Sequence, residues 1–339
     1  MSIVCEYCLN ETSYNSSNVD AFSGKKFDIF FCIHCFIGKT NLHKDFDLTS
    51  YYPKNYYGED GKRFNFLFEF LVLFARYLRS LFCKKLFNDN NIKLLDIGCG
   101  RGHFIYLMKK KGWSVYGSEL SQISAMSAKK KVGDDAIFVN HDLNDLKNID
   151  INFNIITLWH VLQHVKNPKN IVNLIEKKLL DKGYLVIEVP NFDSLQRFID
   201  KSNWILLECP RHITHFTEKS LLNFFDNKKF NIIKKSTFSI EYGLYGMLES
   251  LLNLFVPVPI YLFSFIRNKK AIISKIPLLR NCISMFLTII FFIPLLFISL
   301  FFELIAVLFK KGGVIRVVIQ KNELMLIHCK LNVLKQNIK

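Results

Sequence analysis

From residue 91 onward the chain alternates short apolar runs with stretches in which apolar residues recur every three or four positions. Unbroken apolar runs read as buried strands, and the three-to-four spacing reads as helices with one inward face. On this basis strands are predicted at Leu94 to Ile97, Trp113 to Gly117, Ala136 to Asn140, Phe153 to Leu158 and Gly183 to Val189. The intervening helices begin at Phe104 to Met108, run over Ser121 to Lys131, and cover Lys169 to Leu180 behind an Asn167-Pro168 start signal. Thr217 to Phe225 reads as another helix and Asn231 to Tyr242 as a sixth strand. Alternating strands and helices imply an α/β fold, its parallel strands covered on both faces. Gly312 to Lys321 has the pattern of a last strand of the same sheet, arriving late.

The delay is an apolar insertion. Ser250 to Ile266 carries no charge but contains Pro257 and Pro259, and Cys282 to Phe302 is uncharged over 21 residues, long enough to span a bilayer. Between them lie Arg267, Lys269, Lys270, Lys275 and Arg280. Two full spans would put these five cations outside, against the positive-inside tendency. One span would strand the last strand on the wrong side. The expected arrangement is a monotopic or re-entrant hairpin, bent at Pro257/Pro259 and near Pro294, with its basic loop on anionic headgroups at the cytoplasmic side of the cell membrane. Two true spans are the competing topology. A mean hydropathy of +0.18 and 33 phenylalanines agree with membrane contact. The net charge of +16 would also suit nucleic acid, but the lysines are scattered, with no arginine-rich or aromatic-interleaved stripe. A nucleic-acid partner is therefore not expected. Met1 to Asn10 lacks the apolar core of a signal peptide. Nine cysteines without such a signal point to a reducing compartment, where they bind metal or stay free.

Four of those cysteines form Cys5-x-x-Cys8 and Cys32-x-x-Cys35, the spacing that places four thiolates around one structural Zn²⁺. Tyr51 to Gly58 is an aromatic loop, either a packed linker or a lid. Phe64 to Leu86 reads as an amphipathic helix with Arg76, Arg79, Lys84 and Lys85 toward its end. The first core strand then runs into Asp96-Ile97-Gly98-Cys99-Gly100-Arg101-Gly102, a glycine-rich turn opening a helix. There backbone amides can approach a ligand closely. Glu119 ends the second strand, where a carboxylate can accept hydrogen bonds from ribose hydroxyls, and Asp142 ends the third. The turn lacks the third glycine of a dinucleotide GxGxxG fingerprint.

DIGCGRG, Glu119, HDL (141–143), FNIITLWHVLQHVKNP (153–168) and GYLVIEVPN (183–191) resemble, in order, the motif set of class I S-adenosylmethionine-dependent methyltransferases. The "HVLQHV-x-x-P" segment, with Gln163 where Glu is usual, and Cys209-Pro210-Arg211-His212-Ile213-Thr214-His215-Phe216-Thr217 are similar to a branch that carries an N-terminal zinc ribbon. That branch contains sugar methyltransferases and enzymes of polysaccharide clusters. The resemblance covers roughly Cys5 to Gly243. It implies a Rossmann-like, seven-stranded, mostly parallel sheet with the ribbon in front and the hydrophobic helical insertion before the last strand. The segments would be a ribbon at 1–45, an aromatic loop and lead-in helix at 46–90, the core at 91–244, the insertion at 245–311, and the final strand and tail at 312–339.

The same resemblance implies the site. Asp96, Gly98, Cys99, Gly100 and Gly102 would shape the methionine pocket, Glu119 with Leu120 would hold the ribose, Asp142 with Leu143 would flank the adenine, and Trp159 and His160 would sit by the sulfonium. A base is needed where the acceptor is a hydroxyl or a carbon acid, and histidine suits it. His160, His164, His212 and His215 all fall near the carboxyl edge; His160 and His212 are the first choices, His215 a third, and His164 reads as structural. Arg211 would either grip an acceptor phosphate or form a surface salt bridge. The expected acceptor is a small-molecule sugar or a lipid-linked glycan intermediate. An isoprenoid quinone, and a non-catalytic protein that keeps the fold, are the alternatives.

Overall fold

The computed structural model describes residues 3–20, 23–43, 45–52, 66–89, 91–140, 142–266 and 276–323. The aromatic loop beyond Tyr52, the start of the lead-in helix before Phe66, His141, the basic stretch 267–275 and the tail 324–339 lie outside those residues.

The chain opens with four strands, β1 (Ile3–Val4), β2 (Glu11–Val19), β3 (Lys26–Cys32) and β4 (Ile37–Thr40), followed by helix α1 (Phe66–Lys84). An alternation of strand and helix then begins: β5 (Lys93–Ile97), α2 (His103–Lys110), β6 (Ser114–Glu119), α3 (Gln122–Val132), β7 (Ile137–Val139), β8 (Phe153–Trp159), α4 (Pro168–Lys178) and β9 (Leu179–Pro190). After α5 (Leu195–Asp200) come β10 (Thr214–Phe216), α6 (Glu218–Leu222) and β11 (Phe230–Ser236). Three helices, α7 (Tyr245–Leu252), α8 (Tyr261–Ile266) and α9 (Leu278–Leu308), precede the last strand, β12 (Val314–Lys321).

The main sheet has seven strands in the order β11-β12-β9-β8-β5-β6-β7. β5, β6, β7, β8 and β9 pair in parallel, while β12 is antiparallel to both neighbours. Parallel strands covered on both faces must be apolar throughout. Leu94, Leu95, Ile97, Ile155, Ile156 and Leu158 are accordingly all buried. Local signals start the helices: Ser121 accepts the Ser124 amide at the head of α3, and Asn167 accepts the Asn170 amide with Pro168 at the first turn of α4. In open sheets of this kind, ligands sit beyond the carboxyl ends of the parallel strands.

β1 to β4 form a second sheet, completed by β10 from the middle of the chain, with Thr214, His215 and Phe216 opposite Lys39, Gly38 and Ile37. The N-terminal unit is thus joined to the core by a shared strand pair.

The insertion differs from a pair of long apolar segments. Ser250 to Ile266 is divided between the end of α7, a break across Pro257 and Pro259, and the short α8. α9 runs for 31 residues, about 46 Å at 1.5 Å per residue, and continues through Pro294. Among the described residues it is the one helix long and apolar enough to cross a membrane. Its buried positions are Ser284, Thr288, Leu295, Ser299, Glu303 and Ala306, and its outward ones include Phe286, Ile289, Phe297 and Phe301, each more than 60 % exposed. Small and polar groups face the protein and large apolar ones face outward, the reverse of a water-soluble helix.

Candidate active site

Three left-handed glycines shape the turn after β5. Gly98, Gly100 and Gly102 have φ of +70°, +56° and +74°, a region that costs other residues about 1–2 kcal/mol. A side chain at Gly98 would meet Val161 Cγ2 at 2.5 Å, and one at Gly102 would meet the Cβ and Cα of Ala128 on α3 at 2.8 and 2.9 Å. Gly100 faces open space, with nothing among the described residues within 4 Å of where a methyl group would stand. The outer glycines therefore close the turn against the protein, and the middle one leaves its face to a ligand. Cys99 is buried with its Sγ against Gly117.

Glu119 at the end of β6 turns back to this loop. Its carboxylate accepts the amides of Gly100 (2.8 Å), Leu120 (2.9 Å) and Ser121 (2.8 Å). Burial outweighs those hydrogen bonds and raises its pKa. Asp96, one strand away, accepts Thr157 Oγ1 at 2.6 Å, and burial pushes it up to about 7. Asp142 is exposed and caps the turn that follows, accepting the Asn144 amide at 3.1 Å, while Leu143 is buried in the core. Trp159 is buried edge-on to Phe104, and its Nε1 has no partner among the described residues. A glycine turn with open space over Gly100, a carboxylate beside it and an indole N–H without a partner among the described residues are features that fit a nucleoside-bearing methyl donor.

Beside this pocket lies a charged cluster in which two motif residues, His160 and Glu188, meet Arg76, Arg79, Glu241 and Arg316 from outside the motifs. Glu188 on β9, fully buried, is flanked by Arg79 of α1 at 2.8 Å, by Arg316 of β12 through Nε at 2.6 Å, and by His160 Nε2 at 3.1 Å. Burial alone would raise Glu188, but the two guanidiniums override it and hold the carboxylate well below its ordinary range. Arg79 also reaches Glu241 at 3.0 Å, which Arg76 grips from the same helix at 2.5 Å. Burial opposes ionisation of Glu241 too, and the arginines bring it to about 2. Arg79 lies 4.6 Å over the Trp159 ring, so the cluster and the donor pocket share a wall. His160 adopts φ +57°, and its ring lies 4.3 Å from that of Tyr242. A left-handed histidine at a strand end is a strained residue held by its surroundings.

The remaining histidines are not placed in that cluster. His215 sits on β10 with Nε2 2.9 Å from Thr40 of the N-terminal sheet and its ring against Phe192, and burial drives it down to about 3. His212 is buried with Nδ1 2.7 Å from the Leu206 carbonyl, and burial holds it well below the ordinary histidine range. His164 contacts the Arg211 carbonyl at 2.9 Å and Tyr52 at 3.3 Å, lies 4.7 Å from the His212 ring, and is lowered to about 4 by burial. These three line the seam between the N-terminal unit and the core. Arg211 is neither a phosphate clamp nor a surface residue: it is buried and pairs with Asp20 at 2.8 Å and Glu208 at 3.3 Å across that seam.

Against the main core the four cysteines of the ribbon converge, with Cys5 and Cys35 Sγ 3.5 Å apart, Cys8 and Cys32 Sγ 3.4 Å apart, and all four within 4.8 Å. A tetrahedral zinc site with bonds of about 2.3 Å needs sulfurs roughly 3.8 Å apart, so the donor set fits that ion.

Arg76, Arg79, Glu188, Glu241 and Arg316 come from α1, β9, the 240–244 turn and β12, over 200 residues of chain. The signals available were Arg76 and Arg79 on the apolar lead-in helix, and Glu188 and Arg316 inside otherwise apolar strands.

A family profile described as "Methyltransferase domain" matches residues 65–235, half of the chain. The chain belongs to this methyltransferase family. Its seven-strand order, with one late antiparallel strand between the fifth and sixth, is that of the class I enzymes. The chain is 27 % identical over 127 residues to the mitochondrial ubiquinone biosynthesis O-methyltransferase of Schizosaccharomyces pombe, covering 35 % of this chain and 46 % of that one. It is 26 % identical over 157 residues to the ubiquinone biosynthesis O-methyltransferase of Bartonella tribocorum, covering 43 % and 63 %. The chain thus spans about half the length of the curated relatives it matches. Similar solved structures include the plantazolicin methyltransferase BpumL with SAH (TM-score 0.43, 14 % identity, 74 % and 84 % coverage). A SAM-dependent methyltransferase from Archaeoglobus fulgidus is another (TM-score 0.45, 18 % identity, 76 % and 100 % coverage).

Proposed function

We propose that this protein transfers a methyl group from S-adenosylmethionine to a hydroxyl of a membrane-held acceptor, a lipid-linked glycan intermediate, at the cytoplasmic membrane face. When bound, S-adenosylmethionine supplies an electrophilic methyl group on a sulfonium. The residues that would hold it are Gly98 to Gly102, Glu119 and Trp159. The observation that carries the reading is the continuity between α9 and the site: the outward-apolar helix leads through residues 309–313 into β12, whose Arg316 grips Glu188 beside His160.

His160 is the base in this reading. Glu188 is held ionised by Arg79 and Arg316, so it accepts a hydrogen bond from His160 Nε2–H, and Nδ1 is left as the ring's acceptor nitrogen. His212 and His215 stay in the seam and take no proton. Alignment of acceptor oxygen and methyl group supplies the rest of the rate, since the donor is already activated. A structural Zn²⁺ on Cys5, Cys8, Cys32 and Cys35 would fasten the ribbon to the core.

Methylation of an isoprenoid quinol is the second reading. It is favoured by the names of the relatives and uses the same membrane-side site. The test is incubation of the protein and native membranes with methyl-labelled S-adenosylmethionine. Label extracted into solvent and released by mild acid supports a lipid-linked sugar, and acid-stable lipid label supports a quinol. Label confined to water-soluble sugars, or absent while SAH fails to bind, defeats the reading.

A further inference from the structure

α1 carries its charges inward and its apolar side chains outward. Ala75, Arg79, Ser80 and Cys83 are buried on one side, and Arg76 leans in to Glu241. The opposite side presents Phe70 (61 % exposed), Leu71, Leu73, Phe74 (42 %) and Tyr77 (44 %) to the outside. At 100° per residue the exposed set occupies one continuous face and the buried set the other. An exposed row of large apolar side chains over an active site marks an interaction surface.

Two observations say what covers it. The helix is linked to the apolar insertion: α1 packs through Arg76 and Arg79 on the Ile240–Leu244 turn, that turn packs on α9, and Phe238 and Ile240 at the turn are themselves exposed apolar residues. It is also bordered by cations, with Lys111 Nζ 5.6 Å from the Tyr77 ring and Lys110 beside Tyr106. Aromatic and aliphatic groups flanked by lysines match the boundary between acyl chains and anionic headgroups.

We propose that α1 is a second membrane-contacting element: Phe70, Leu71, Phe74 and Tyr77 lie in the lipid interface while Arg76 and Arg79 of the same helix wall the methyl-transfer site, so a lipid-borne acceptor arrives alongside α1. The acceptor's route rests on the membrane-held acceptor proposed above; the lipid contact itself does not.

The test is Phe74→Trp in the full chain, bound to vesicles of phosphatidylglycerol and brominated phosphatidylcholine. Trp113, Trp159 and Trp204 are at least 92 % buried, which gives the parent protein a low quenching baseline. An interfacial helix sits roughly 5–10 Å into the boundary, so the added indole should lose on the order of half its emission to bromine. Emission unchanged beyond the parent's, in protein that still floats with the vesicles, overturns the proposal. So does a doubled mass in detergent with the new indole shielded before lipid is added, because a second copy then closes the face. No methyl donor is needed, so the result stands apart from the catalytic reading, which fails separately if SAH does not bind.

Discussion

Replacing Gly100 and Gly102 singly with Ala separates the ligand face of the turn from its structural face. At Gly100 the only folded-state cost is the left-handed backbone, about 1–2 kcal/mol, partly offset by the ~0.4–1 kcal/mol that Ala removes from the unfolded chain's freedom. Gly100→Ala should therefore destabilise by about 1 kcal/mol or less. Gly102→Ala bears the same backbone cost, and its new methyl also meets Ala128 Cβ at 2.8 Å and Cα at 2.9 Å. The second of these is backbone of α3 and cannot rotate aside. Overpacking of this kind adds about 1–3 kcal/mol, for a total near 1–4 kcal/mol. Binding should show the reverse order. At position 100 the methyl fills the space into which a donor would press, and SAH affinity should fall by roughly tenfold or more, about 1.4 kcal/mol. Denaturation midpoints give the first quantity and isothermal titration with SAH the second. If Gly100→Ala binds SAH as tightly as the parent, the turn is not the donor cradle. If Gly102→Ala unfolds no earlier than Gly100→Ala, the clash with α3 is not real.

Two further expectations follow from buried groups. Asp96 has its pKa raised to about 7 from an unfolded value near 3.8, so the native state holds the extra proton and stability from this group is lost as pH rises from about 4 through 7. Asp96→Asn should therefore gain on the parent between pH 5 and 8 in thermal scans, and a pH-independent difference would remove the linkage. Cys32→Ser should abolish bound zinc, read by atomic absorption. It should also speed amide exchange at Thr214 to Phe216, because β10 pairs with the ribbon's β4. Full zinc content with unchanged exchange would show that the four thiols do not hold the ribbon on the core.

Much of the sheet was readable because its strands are short, apolar and flanked by turn residues. Gly312 to Lys321 was identifiable as a core strand although it lies over 120 residues from its partner β9. Strand and helix ends moved by a few residues, as at Asn231 to Tyr242, where the pairing stops at Ser236 and the chain coils into the 240–244 turn. The donor side of the site is local in sequence, since a turn and the end of the next strand build it. The charged cluster around Glu188 is not local. Its arginines and glutamates are single polar residues within apolar segments, and only the packing of α1 against β9 and β12 brings them together. The histidines show the same limit. Spacing put four of them near one edge, and the strand pair between β10 and β4 took three into the seam.

β12 also sets an order of events. On a growing chain β9 presents an unpaired backbone edge from Tyr184 to Pro190, and β11 has no neighbour, until residue 321 has been made. Long-range pairings of this kind form late, because the intervening loop must first be closed at an entropic cost. Before that strand can dock, α9 has been synthesised and must find an environment for its outward phenylalanines. Arg316 then arrives with β12 as a partner of Glu188. Charge balance beside His160 is therefore completed only in molecules whose apolar arm has been accommodated, so a chain stalled before that point would be edge-exposed and would leave Glu188 without one of its two guanidinium partners.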